Sequence, residues 1–362
     1  MIGLKQVVSL TGRSLCDVLV EELGKLRMPL CNMSGKGFDG ASNMSGNDKG
    51  LQQQLTDAGA TLSLYFHCFA HCLNLVLEKC AETLPLVNDV FSTIGSMYKI
   101  MEGSPKRNAV YEANLNRFSI NNGRTALHAL SDARWTAKVD NLAATINVLP
   151  ALIATLKELQ PSDTTCEGVL VRIGSFEFLL QLLILKECFE LSKYLSEYLQ
   201  REEMDLVTAV DAVTTLIEAF SSLRTEDKFA KFVKAAKLKA AEFDIEDSFR
   251  DLGTKRRRCL RHRLTDGQTF LDATFSYHIA TTAQSNASVT AQSKFRTEFY
   301  YPLLDLLLSE MQRRFSTESC EVLVQLSLLI QRTWMRRTLK RLENWQRDTA
   351  FQRKQPVEST HC

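Results

Sequence analysis

The sequence predicts an α/β layer followed by a long all-helical segment. Two observations predict it. From Met1 to about Leu159, short apolar runs alternate with glycine-containing turns, the texture of strands and helices in alternation. From Val169 onward apolar residues recur at three- and four-residue spacing over long stretches, the signature of amphipathic helices. The chain has 362 residues, of which 45% are hydrophobic, 24% charged and only 7 proline. That is the balance of a chain that buries a core.

In the first segment Ser14–Leu26 reads as a helix, with Leu15, Val18, Leu19, Leu23 and Leu26 on one face and Ser14 as its N-cap. Pro29–Met33 is a candidate strand, and a turn-rich stretch runs from Ser34 to Gly40. Lys49–Leu55 suits a short helix. Leu62–Phe66 reads as a strand entering the apolar segment His67–Val76. Leu86–Met101 is a helix, and Ser104-Pro105 opens another, because proline is tolerated in a first turn where its missing N–H is not needed. In the second segment Leu179–Leu199, Leu206–Leu223 and the alanine- and lysine-rich Lys228–Phe243 are helices. Gln268–Gln292, rich in Thr, Ser, Ala and Gln, reads as a loop. Tyr300–Phe315 is a closing apolar helix with Pro302 in its first turn.

The net charge of +2 produces no global field toward nucleic acid, so any such binding must come from local basic patches. The ten cysteines show no framework spacing and no CxxC pair, which reads as reduced intracellular thiols in cytosol or nucleus. Met1–Gly12 lacks the apolar core of a signal peptide. Phe178–Leu185, read as the longest mainly apolar stretch, is too short to cross a bilayer, so no membrane partner is expected.

Gly37-Phe38-Asp39-Gly40 places a carboxylate between glycines after a predicted strand. Two readings stand: a strand-end carboxylate free to hold a hard cation, or an Asp-Gly surface turn. Cys68 and His71, flanked by His67 and Cys72, are half of a zinc set or a packed core pair; a structural zinc needs four ligands, and no second pair at suitable spacing exists. Trp135 is a core aromatic opening a helix toward Leu149 or a platform for an unpaired base. Lys255, Arg256, Arg257, Arg258, Arg261 and Arg263 form a basic linker, read either as a phosphate-binding patch or as a solvated connection or nuclear-import signal.

Four blocks, in order, resemble the hAT superfamily of cut-and-paste DNA transposases and their host-derived descendants. They are Gly37–Gly46 (GFDGASNMSG), His67–Val76 (HCFAHCLNLV), Ser131-Asp132-Ala133-Arg134-Trp135, and Tyr300-Tyr301-Pro302-Leu303-Leu304-Asp305 running on to Arg314-Phe315. Within the superfamily the chain is similar to the zinc finger MYM-type and kinase-inhibitor-repressor groups. The resemblance implies an incomplete ribonuclease H-like core with a large all-α insertion. The implied division is 1–160 as partial core, 161–315 as helical insertion carrying the basic linker 255–263, and 316–362 as a basic tail. It implies that Asp39 corresponds to the second of three catalytic carboxylates that bind two divalent metals, with Cys68, His71, Arg134 and Trp135 in two signatures near that site.

The first carboxylate is expected on a strand ahead of the Ser14–Leu26 helix. Only Met1–Gly12 precedes it here, room for about one strand at ~3.3 Å per residue, with Gln6–Leu10 as its candidate. No glutamate among Glu298, Glu310, Glu318, Glu321 and Glu343 sits in a recognisable motif for the third. The expectation is therefore a transposon-derived nuclear protein without catalysis. It would bind DNA weakly and without sequence preference, or serve as a protein-binding module. No cofactor is expected, Mg²⁺ entering only if the chain is active. The alternative is an active metal-dependent strand transferase, if an upstream segment supplies the first Asp.

Overall fold

A computed structural model describes residues 4–120, 135–160, 164–201, 204–249 and 291–316, with Cys320 and Val324. The chain opens with α1 (Gly12–Lys25), a 3₁₀ turn (Leu30–Asn32), β1 (Gly35–Phe38), α2 (Ser42–Ser45), α3 (Leu51–Asp57) and β2 (Leu64–His67). Thereafter every described element is helical. These are α4 (Phe69–Thr83), α5 (Pro85–Glu102), α6 (Pro105–Arg117), α7 (Trp135–Leu159), α8 (Thr164–Ile173), α9 (Phe176–Leu199), α10 (Leu206–Leu223), α11 (Glu226–Glu242), α12 (Ala291–Phe295) and α13 (Tyr301–Arg314). The described residues thus form a mostly helical body with one small parallel sheet, β1 beside β2 in the register Gly35↔Leu64 to Phe38↔His67.

Several local expectations change. The N-cap of α1 is Thr11, whose Oγ1 accepts from the Ser14 N–H at 3.3 Å, so the helix begins a turn earlier than Ser14 suggested. The segment read as a strand at Pro29–Met33 is the 3₁₀ turn, and the first strand falls in the stretch read as turn-rich. Gln6–Leu10 forms no strand. Ala291 and Gln292, read as the end of a loop, begin α12.

Two hydrophobic cores hold the elements. The smaller joins α1 to α3 through Cys16, Leu51, Leu55 and Ala60, with Leu15, Leu19, Val20, Leu30, Met33, Phe38 and Met44 around them. Lys36 ties β1 to it: its stem is buried, and its ammonium donates to Gln52 O at 2.7 Å and to Thr56 Oγ1. Burial lowers the Lys36 pKa, and the two acceptors satisfy what burial removes from water. Gly12 sits where α1 meets the loop ahead of α3; a Cβ there would lie 2.1 Å from Lys49 O and 2.8 Å from Leu51 N.

The larger core runs from Cys72 to Cys320 and centres on α9, which packs against α4, α5, α7, α8, α10 and α11. A helix surrounded this way must be apolar on nearly every face, and the first half of α9 is: Phe176, Phe178, Leu179, Leu180, Leu182, Ile184, Leu185, Cys188 and Phe189 are all buried. Ala137–Leu159 and Leu206–Leu223 are long and apolar enough to cross a membrane, which corrects the expectation that the longest apolar stretch is too short. The first is 72% buried among the other helices, and the second carries Thr208, Asp211, Thr214, Thr215 and Glu218 on its exposed face.

The Tyr300–Asp305 motif is a clasp. Pro302 cannot donate an N–H and crowds the preceding turn, and the helix widens just ahead of it into a π turn (Arg296–Tyr300) in which Tyr301 N–H reaches Arg296 O. That rotation sends Tyr300 inward, fully buried, its hydroxyl donating to Leu223 O at the end of α10. Asp305 accepts from Arg224 in a forked pair, and the Arg224 guanidinium lies 4.9 Å from the Tyr301 ring centre. Phe229 of α11, also fully buried, sits with its ring centre 5.0 Å from that of Tyr300 and 6.4 Å from that of Phe295.

Candidate functional site at the strand ends

In a parallel sheet, the carboxyl ends of the strands and the following helix N-termini form a natural ligand crevice. Here β1 delivers Asp39 and β2 delivers His67 and Cys68, with α4 starting at Phe69. Cys68 N–H donates to Phe38 O at 2.9 Å, so the sheet pairing carries one residue past His67 and locks the two strand ends together.

Asp39 is exposed. Its Oδ1 accepts from the Ala41 N–H at 3.1 Å, and its backbone oxygen accepts from the Tyr65 hydroxyl at 3.4 Å. Gly40 then passes directly over the imidazoles. A Cβ at Gly40 would fall 2.5 Å from both Cε1 and Nε2 of His67 and 3.2 Å from Cδ2 of His71. A side chain at position 40 would have to push the His67 imidazole aside. The His67 and His71 rings lie 5.2 Å apart, tilted by 30°. Nε2 of His67 is buried with no hydrogen-bond partner among the described residues. Burial, and then the nearby His71 and Arg314, lower the His67 pKa, opposed by Asp39, so the ring is held neutral.

From the other side α13 closes against α4. Phe315 meets Phe69 edge to face at 5.1 Å, and Glu310 sits between Arg313 Nη2 at 2.7 Å and Arg314 Nε at 3.0 Å. The Arg313 hydrogen bond, ahead of the remaining charge interactions, lowers the Glu310 pKa and keeps it ionised. Cys72, one turn beyond Cys68, is buried, and burial pushes its thiol up to about 11, away from the thiolate a metal needs.

Residues 1–50 match the family described as ZMYM1/FAM200, RNase-like domain. No solved structure matches the chain. The match takes in α1, β1, Asp39 and α2. It supports a transposase-derived domain family at this end of the chain, and a mostly helical body with a small parallel sheet is consistent with an RNase-like α/β fold carrying a helical insertion.

Of the residues singled out in the sequence, Asp39, Cys68 and His71 are brought together at the strand ends. Trp135 opens α7. Arg134 and the linker residues Lys255, Arg256, Arg257, Arg258, Arg261 and Arg263 lie outside the described residues. Tyr65 was not anticipated; its period-two placement in the β2 run is the signal that puts it beside Asp39. Among the described residues no three His, Cys, Asp or Glu side chains converge to hold a metal ion. The donors that do gather suit a two-Mg²⁺ centre poorly. Mg²⁺ wants converging oxygens, whereas Asp39 stands beside the imidazoles of His67 and His71.

Proposed function

We propose that this chain is a transposon-derived, hAT-like nuclear protein that binds DNA weakly through the phosphate backbone and does not cut or join strands. The observation that carries the second half is the state of Glu310. Glu310, one of the glutamates weighed for the third carboxylate, is buried in the helix that docks on α4, yet both its oxygens are taken by Arg313 and Arg314. An ionised acid held in this way is part of a structural ion pair rather than a metal ligand. Transposase descent rests on the residue 1–50 match and on the four ordered motif blocks. Backbone binding rests on the basic linker 255–263 and on Arg134 and Trp135 in the third block.

The placement of Asp39 at a strand end favours a second reading, an active strand transferase, and one assay separates the two. Purified chain is incubated with Mg²⁺ or Mn²⁺ and DNA carrying candidate terminal inverted repeats. The expected result is no nicking. Nicking or joining that disappears on Asp39→Ala would overturn the non-catalytic reading. Binding is followed by fluorescence anisotropy of a labelled duplex. Affinity should fall steeply with salt, by a log–log slope of about −0.9 per phosphate contact, and weaken when the linker arginines become alanine.

A further inference from the structure

α11 carries five lysines in twelve positions: Lys228, Lys231, Lys234, Lys237 and Lys239. Its apolar stripe, Phe229, Val233, Ala236 and Ala240, is buried against α9 and the aromatic side chains of Phe295 and Tyr300. A basic amphipathic helix ordinarily offers its apolar face to a membrane or to a partner's groove. Here that face is already spent on the core, so what α11 offers outward is charge. Lys231, Lys234 and Lys237 are exposed, between the small residues Ala230, Ala235 and Ala241. Lys237 lies 3.6 Å from Asp247 and Lys239 lies 2.7 Å from Glu242, whereas Lys228, Lys231 and Lys234 have no ion-pair partner among the described residues. At ~1.5 Å rise per residue the three lie ~4.5 Å apart along the helix axis, a ladder of positive charge ~9 Å long. Duplex DNA presents one negative charge per ~1.7 Å of axis, dense enough to meet every rung. Lysine brings this face charge without the fixed fork that arginine offers a base edge. The face carries no aromatic or arginine, and Leu238 is its one large exposed apolar side chain.

We propose that the outward lysine face of α11, centred on Lys228, Lys231 and Lys234, is a contact surface for nucleic-acid phosphates that takes no account of base sequence. The inference rests on the DNA-binding reading above and adds to it a site on the folded helical body. It is tested with the full chain and a labelled duplex, anisotropy being followed across a salt series. Changing all three lysines to glutamine should make the log–log salt slope shallower by about 2.7, three contacts at ~0.9 each. The change should be the same on unrelated duplexes, and lysine-to-arginine replacement at the three positions should restore the slope. Circular dichroism of both variants should match the unaltered chain, because the residues changed lie outside the buried stripe. An unchanged slope in the glutamine variant, with the parent still binding, overturns this site alone. Failure of the parent chain to bind DNA even at low salt overturns both this site and the reading beneath it. Loss of binding to poly-glutamate with DNA binding intact assigns the face to an acidic protein and also overturns the proposal.

Discussion

The junction between α1 and the loop ahead of α3 can be tested by one substitution made twice in the same helix. At Gly12 a Cβ would lie 2.1 Å from Lys49 O and within 3 Å of Leu51 N and Asn43 O, all backbone atoms. Ordinary contact is ~3.5 Å, so one of two main-chain segments must retreat by more than 1 Å. Overpacking of that kind costs about 1–3 kcal/mol, partly offset by the up to ~1 kcal/mol that alanine gains over glycine in a helix. At Gly24 a Cβ meets nothing within 4 Å, so only the gain remains. Gly12→Ala should therefore loosen α1 by about 1–2 kcal/mol, and Gly24→Ala should tighten it by about 0.5–1 kcal/mol. Cys16 reports the difference, because it is 2% exposed in the small core and reacts only when α1 lifts. With ~1.4 kcal/mol per factor of ten, native-state labelling of Cys16, read peptide by peptide in a mass spectrometer, should speed up about 5- to 30-fold in the first variant. In the second it should slow about two- to fivefold. Equal effects, or faster labelling in Gly24→Ala, would refute the argument that backbone contact at Gly12 seats the helix.

The clasp should draw its strength from burial rather than charge. Phe229→Ala is expected to cost about 3–5 kcal/mol in urea unfolding, whereas Asp305→Ala, which breaks an ion pair whose side chains are 43% and 47% exposed, should cost at most about 1 kcal/mol. Comparable losses in the two would reverse that ranking. The strand-end site should also make the fold acid-sensitive. The His67 pKa is depressed in the folded chain, facing His71 of α4 and Arg314 of α13 with Asp39 of β1 in opposition, so its penalty is absent above the ordinary value of 6.5. It accrues as pH falls from there through the folded value, as the unfolded chain takes up the proton first. The melting temperature of the parent should therefore drop further between pH 7.5 and 5.5 than that of His67→Phe; parallel drops would count against it.

The sequence made the helical body legible because long helices write their burial into a repeating pattern. Leu206–Leu223 is helical over the same bounds that its apolar spacing indicates, and Pro105 and Pro302 mark first turns as expected. The first strand was hidden for a physical reason. Gly35 and Gly37 are poor strand formers, and Lys36, which looks solvent-seeking, is buried because Gln52 and Thr56 receive its ammonium. Conversely, the apolar residues of Pro29–Met33 suggested a strand, but Leu30 and Met33 pack on the small core from a 3₁₀ turn and need no sheet. At the site, Asp39 beside His67, Cys68 and His71 follows from two motifs that each end a strand. The Glu310 pair with Arg313 and Arg314 was written locally, at three- and four-residue spacing, but its position against α4 depends on how α13 docks, which no local pattern records.

The clasp also joins two segments that are distant in sequence. Phe249, just beyond α11, has its ring centre 5.7 Å from that of Phe295 at the end of α12. The end of the described segment 204–249 and the start of the segment 291–316 therefore meet in one aromatic contact. Phe229, Tyr300 and Asp305 hold α10, α11 and α13 in register by their own contacts, so the two segments are joined through side chains as well as through the backbone.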